Sequence, residues 1–304
     1  MKFIDRLRSK LLDGRAETSV NLYMSKLLKL NGGKQFNSLS FLVDTDNILS
    51  QIKGVKSNTQ LSYLTSILVA LEHYPKYKDA KSKYVARYDE LVKQRKQVEA
   101  THQKSETEEE SLIPIQELSD IRNQLRQKTD SCHNQEFLSK SEYNSYLQHL
   151  ILELYTDIPP RRNQDYLYMY VVYDRPEVLD ESKNYLIINE RVFIFNKYKT
   201  SKVYGVQEFV IPDSLFSVIE DYLARHPSLN DTEFPFLVNY KGKELDKLGG
   251  ITKILNKVFN KKVGCSALRH VFITDKFGDT VKEREEVANA MAHSSNTQNK
   301  YIKL

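Results

Sequence analysis

The sequence predicts a mainly α-helical protein with one small antiparallel β-sheet, arranged as a helical N-terminal part and a larger second domain. Apolar residues recur at helical spacing through most of the chain, and three short β-branched and aromatic runs stand close together in its second half. Charge also changes sign near Ser105. Residues 1–105 carry 19 Lys/Arg against 10 Asp/Glu, a net of +9, whereas residues 106–304 carry 26 against 30, a net of −4. The change falls beside the acidic stretch Glu106-Thr-Glu-Glu-Glu110. The predicted organisation is therefore a helical module over 1–105, a linker over 106–112 and a second domain over 113–304, opening at Ile113-Pro114.

In the first part, Leu22, Met24, Leu27, Leu28 and Leu30, then Ile48 and Ile52, then Leu61, Leu64, Ile67, Leu68 and Leu71 mark successive short helices. Asn31-Gly32-Gly33 and Lys53-Gly54 punctuate them as turns, and Ser57-Asn58-Thr59 offers N-cap residues for the third run. Residues 76–104 are highly charged with only Tyr84, Tyr88 and Leu91 in period, which predicts a long, largely exposed helix. In the second part, Tyr146, Leu147, Leu150, Ile151, Leu154 and Tyr155 form an amphipathic helix stopped by Pro159-Pro160, where another helix is expected to begin. Tyr185-Leu-Ile-Ile-Asn, Val192-Phe-Ile-Phe-Asn and Gln207-Glu-Phe-Val-Ile211 predict the sheet. Helices are expected again at 213–225, 248–259, 267–277 and 283–292.

Composition narrows the function class. With 40% apolar and 28% charged residues, the chain has no run near the roughly 18 to 20 apolar residues needed to cross a bilayer. Its first residues alternate charge with apolar side chains and lack a signal-peptide core, so an intracellular protein is expected, in a host compartment the sequence does not specify. Cys132 and Cys265 have no metal-ligand spacing, and neither a disulfide nor a metal is expected. The basic module suits an anionic polymer, since each phosphate neutralised by Lys or Arg releases a counterion. A solvated lysine-rich surface accounts equally well for the charge alone.

Three late residues have a spacing that suits attack on a phosphate: Arg269 in Ser266-Ala-Leu-Arg269-His270, His293 in His293-Ser-Ser, and Tyr301. Alone, Arg269 reads as a surface ion-pair partner, and one tyrosine among 19 is unremarkable. Together, Leu268-Arg269-His270-x-Phe272-x-Thr274 and Met291-Ala-His293-Ser-Ser-x-Thr-Gln-x-x-Tyr301 resemble the second-arginine and final His-to-Tyr boxes of the tyrosine recombinase (phage integrase) family. Pro159-Pro-Arg161-Arg162-Asn-Gln-Asp165 is similar to the family's first-arginine box, in which an acidic residue follows the arginine by three. That spacing selects Arg162 with Asp165 and keeps Arg161 as the alternate. The family's hairpin lysine matches Lys199 in Tyr198-Lys199-Thr200, with Lys197 and Lys202 as alternates. The wording resembles integrase-like proteins of large DNA viruses and mobile elements.

The resemblance implies a helical core-binding (SAM-like) domain followed by an α+β catalytic domain. It also implies DNA cleavage and rejoining through a covalent 3′-phosphotyrosine, with double-stranded DNA as partner and self-association on it, a tetramer during strand exchange. Arg162 and Arg269 would hold the non-bridging oxygens, Lys199 would protonate the leaving 5′-oxygen, His293 would steady the phosphate and Tyr301 would attack it. Neither a nucleotide cofactor nor a metal is implied. A type IB topoisomerase-like relaxing enzyme shares the fold and nucleophile, and a DNA-binding protein that lost the chemistry is the non-enzymatic alternative. The last is motivated by Ser266, which stands where the family usually has histidine; serine is a poor base, and capping the helix that starts there is its other expected role. His270 adjoins Arg269, but helical neighbours point about 100° apart, so it is expected to pack or bond within the domain.

Overall fold

The computed structural model describes residues 2–100, 109, 113–135, 137–247 and 249–301. The expected linker over 106–112 lies almost wholly outside them. The chain divides into two compact units, Met1–Gln103 and Lys104–Leu304. No described helix is long and apolar enough to cross a membrane.

The first unit is all helical: α1 (Phe3–Leu12), α2 (Glu17–Leu30), α3 (Thr45–Lys53), α4 (Ser57–Glu72) and α5 (Lys78–Ala100), with single 3-10 turns at Ser40–Leu42 and Pro75–Tyr77. Its core joins Leu7 and Leu11 to Leu27, Leu39, Leu64, Ile67 and Tyr84. Ser57 opens α4 without capping it; Lys56 holds the cap position and no side chain closes it. Gln60 does the local fastening instead, donating to the carbonyls of Val55 (2.8 Å) and Lys53 (3.3 Å) and accepting from Arg87 of α5. Long α5 is held by few side chains, of which Tyr84 is buried and donates to the Leu42 carbonyl at 2.8 Å.

The second unit is built around one buried helix. After α6 (Ile115–Ser131), α7 (Lys140–Thr156) begins with a capping box in which Ser139 and Glu142 satisfy each other's backbone amides. Every residue from His149 to Tyr155 is buried, as expected of a helix covered on all sides. Its cover is α6, α10 (Asp213–Leu223), α11 (Gly250–Phe259) and α12 (Cys265–Ala290). Burial of this helix also buries Glu153, which Arg122 of α6 meets with two hydrogen bonds, at 2.9 and 2.5 Å. Desolvation pushes the Glu153 carboxyl up, but His149 and Arg122 outweigh it and hold it below the ordinary value.

Short α8 (Asn163–Leu167) follows the Pro159-Pro160 stop and runs directly into β1 (Met169–Val172). Then come β2 (Asn184–Ile187), β3 (Val192–Phe195), the one-turn α9 (Ser201–Tyr204), β4 (Gln207–Val210) and, after α10, β5 (Glu233–Pro235). These strands form one sheet in the order β4-β3-β2-β1-β5. The sheet is mixed, not antiparallel as the sequence predicts, because β1 pairs in parallel with β2, Val171 opposite Leu186. The β2–β3–β4 meander is antiparallel, with Phe193 between Leu186 and Phe209. One face carries Val171, Leu186, Phe193 and Phe195 into the helical core; the other buries Tyr185, Ile187 and Ile194 beneath Leu179.

The end of the unit departs most from expectation. In place of two helices at 267–277 and 283–292 there is one continuous helix, α12, of 26 residues, followed by one-turn α13 (Ser295–Gln298). Of its residues only Leu268 and Ala288 are buried.

Candidate functional site

The loop after Pro159-Pro160 gathers three arginines. Arg161 is held on three sides: its Nε donates to Asp165 Oδ2 (3.0 Å), its Nη1 to Gln207 Oε1 (2.8 Å), and its guanidinium carbon lies 3.8 Å from the Phe195 ring centroid. Arg162 takes the N-cap position of α8, where its backbone carbonyl accepts from the Asp165 amide. Its half-buried side chain has no hydrogen-bond or ion-pair partner among the described residues. Arg269, in the first turns of α12, donates through Nε to the Pro160 carbonyl at 2.9 Å. That bond aims the guanidinium back at the 160–162 loop and leaves its Nη donors without partners among the described residues.

Beneath this cluster lie buried groups that fix it. Tyr155 of α7 donates to Asn163 (2.7 Å), which donates to Thr252 of α11 (3.0 Å), so the arginine loop is pinned to two core helices. Asp165 is buried, and its Oδ1 meets no partner among the described residues. Burial raises its carboxyl above the ordinary carboxylate value although Arg161, then Arg162, pull it down. Asp165 thus bonds to Arg161, four residues back, and not through its side chain to Arg162, which the three-residue spacing selects.

Lys199 lies on the connection between β3 and β4, exposed, with no partner among the described residues. Of its alternates, Lys197 sits over the Tyr168 ring at 4.4 Å, and Lys202 is exposed on α9. Ser266 is an exposed residue in the first turn of α12; Gly264 occupies the cap and no side chain closes it, so Ser266 does not cap the helix. His270 is exposed rather than packed in the domain. Leu268 is in the core, and Val271, not Phe272, is the next side chain of α12 to pack on it.

His293 and Tyr301 form a separate pair. Ala292 adopts a left-handed conformation (φ 53°) that ends α12, and the His293 amide donates to the Ala288 carbonyl at 3.0 Å. Ser294 caps α13 by accepting from the Thr297 amide. The chain thereby returns along α12 until Tyr301 stacks on His293, ring centroids 5.9 Å apart. Arg284 of α12 donates to Asn299 of this tail at 2.5 Å. Arg284 is fifteen residues beyond Arg269, about 22 Å along the axis at the helical rise of roughly 1.5 Å per residue. Tyr301, 68% exposed, therefore stands at one end of α12 and the arginines at the other.

Two residues of this region have roles the sequence reading does not give them: Asn184, and Gln207, which it reads only as a strand residue. Asn184 is wholly buried and bonds both the Asp165 carbonyl (2.7 Å) and the backbone of Lys197. A buried asparagine opening an apolar strand run was the available signal. Among the described residues no cluster of His, Cys, Asp and Glu is suited to hold a metal.

No protein-family model matches the chain, and no curated protein matches it. Among solved structures, the crystal structure of XerA recombinase superposes with a TM-score of 0.33 at 12% identity, over 99% of this chain and 93% of that one. A superposition that loose leaves the reading to the residues.

Proposed function

We propose that the protein is a DNA strand-breaking and rejoining enzyme of the tyrosine recombinase type, acting through Tyr301. The observation that carries this reading is the arginine loop. Arg162 lies in the 160–162 segment to which Arg269 bonds, both keep guanidinium donors without partners among the described residues, and the Lys199 loop is fastened to the same segment. Such a pair can offset phosphodiester charge with directed hydrogen bonds, which is the first requirement for attack on it. The Tyr301 hydroxyl then bonds to phosphorus as the P–O5′ bond breaks. The phenol proton passes to solvent, Lys199 delivers a proton to the departing 5′-oxygen, and His293 hydrogen-bonds the transferred phosphate. The product is a 3′-phosphotyrosine that conserves the bond for rejoining. Guanidinium charge supplies the electrostatic role, so the scheme uses neither metal nor nucleotide cofactor. Double-stranded DNA is the substrate, the +9 segment supplies non-specific affinity, and strand exchange requires several copies on DNA.

The test is covalent trapping. The wild-type chain, incubated with fragmented DNA whose cleaved end diffuses away, should yield a protein–DNA adduct attached at Tyr301, and mapping the trapped end gives the site. Tyr301→Phe should bind the same fragments and trap none. Undiminished adduct in that variant would remove Tyr301 as nucleophile. The distance between Tyr301 and the arginines favours one second reading, a DNA-binding protein that keeps the fold without the chemistry. It predicts binding with no adduct from the wild-type chain.

A further inference from the structure

We infer that Arg161 is a positioning residue for Lys199, holding the general acid in register with the phosphate-binding arginines; the inference rests on the recombinase reading above. Lys199 has nothing to hold its own side chain, being exposed and without partners among the described residues. Its place is set entirely by the loop that carries it, residues 196–206. Arg161 grips that loop at both stalks. Phe195, under its guanidinium at 3.8 Å, is the last residue of β3, and Gln207, bonded to its Nη1 at 2.8 Å, is the first of β4. It also lies 5.0 Å from the ring of Tyr198, which immediately precedes Lys199.

Tyr198 transmits the grip. Its hydroxyl donates to the Gly205 carbonyl at 2.7 Å, closing the loop, and its carbonyl accepts from the Ser201 amide at 3.1 Å, making the turn that contains Lys199. A second tie runs in parallel through buried Asn184, which bonds the Asp165 carbonyl on one side and the Lys197 backbone on the other. The anchor for both ties is Asp165 in α8, three residues from Arg162. Arg161 is poorly placed to bind phosphate itself: Nε and Nη1 are committed, one face is covered, and the side chain is only 22% exposed. The adjacent arginines thus divide the work, Arg162 facing the substrate and Arg161 fixing the acid beside it.

Leaving-group chemistry separates positioning of an acid from binding of a phosphate. A 5′-bridging sulfur departs as a thiolate and needs no proton, so loss of the general acid matters only for the oxygen substrate. Duplexes carrying the mapped site with a bridging 5′-oxygen or 5′-sulfur are incubated with each variant, and adduct formation is timed. Lys199→Ala should fall about 100-fold or more on oxygen, within the usual range for a general acid, and recover to within about threefold of wild type on sulfur. Arg161→Lys and Gln207→Leu should follow it, each at least about tenfold down on oxygen and near wild type on sulfur. Gln207→Leu leaves the Arg161–Asp165 pair intact and guards against a folding defect. Arg269→Ala should lose equally on both. If the Gln207→Leu and Arg161→Lys defects persist on sulfur, or if neither slows cleavage on oxygen while Lys199→Ala does, the inference is overturned and the recombinase reading stands. Absence of adduct from the wild-type chain on both substrates would overturn that reading and this inference with it.

Discussion

The two halves of the candidate site are held in opposite ways. The arginine and lysine half stands on a largely buried floor: buried Tyr155, Asp165 and Asn184 and half-buried Asn163 join α7, α8, α11 and the sheet to one loop through hydrogen bonds of 2.7 to 3.0 Å. The His293–Tyr301 half stands at the end of a helix whose residues 273–287 include none that is buried, and it is tied back by a few backbone bonds and Arg284. Preorganised charge is worth most where it cannot relax, so the anchored half is suited to stabilising a transition state. On the proposed reading, the nucleophile, which must form and later break a covalent bond to DNA, is instead carried on the half with little to lose by moving.

The largest expected effect breaks the anchored half at its exposed donors. Arg162→Ala and Arg269→Ala should each lower the rate of adduct formation by about 10²- to 10³-fold, the usual loss on removing one preorganised donor. Because Arg162 has no side-chain hydrogen-bond or ion-pair partner among the described residues and only a charge interaction with Asp165, its loss should change the urea midpoint little, while Arg269→Ala also frees the Pro160 carbonyl. A fall of less than tenfold in either variant would mean that the loop is not where phosphate binds.

The next effect is on the floor itself. Arg122→Ala leaves buried Glu153 with only His149, and should cost about 3 kcal/mol near neutral pH, the low end for breaking a buried pair since Arg122 is 37% exposed. Glu153 has a folded-state value below its ordinary one, so its contribution is complete above about pH 4.5 and is lost as pH falls below it. The penalty of Arg122→Ala should therefore shrink in acid, measured by urea unfolding at pH 7 and pH 4. Asp165 has the opposite sign: raised by burial, it favours the folded state fully only below its ordinary value near 3.8 and less as pH rises. An unchanging Arg122→Ala penalty would show that the pair does not support α7.

Much of the anchored half was legible in the sequence and much of the free half was not. Helical periodicity located α7, and β-branched and aromatic runs located β2, β3 and β4, since α7, β2 and β3 bury continuous apolar runs and β4 half-buries every second residue. Strand β1 was hidden because five-residue α8 runs straight into it, and β5 because it is three residues ending in proline. Spacing alone joined Arg162 to Asp165, whereas the side-chain bond goes to Arg161; a three-residue and a four-residue offset both place a side chain one helical turn away. What spacing cannot convey is distance along a helix. Arg269, His293 and Tyr301 read as one tail, yet the tail's separation in space depends on whether residues 278–282 bend.

That bend gives the smallest predicted effect and the sharpest one for the comparison. Gly278 sits in the middle of α12, between Phe277 and Val281, which with Ile273 form an exposed apolar stripe at four-residue spacing. A glycine there weakens the helix by about 0.5 to 1 kcal/mol relative to alanine, so a bend that would carry Tyr301 toward the arginines on the proposed reading is expected at this point. An added Cβ meets only Thr274 Cγ2, at 3.5 Å, an ordinary contact, so Gly278→Ala is sterically permitted. The variant should raise unfolding free energy by about 0.5 to 1 kcal/mol in urea titrations and slow adduct formation about twofold to fivefold, the same energy opposing the bend. Its DNA binding should not change, because the arginine loop is untouched. Adduct formed at the wild-type rate by a measurably stiffer α12 would show that the free half reaches the anchored half without this helix bending.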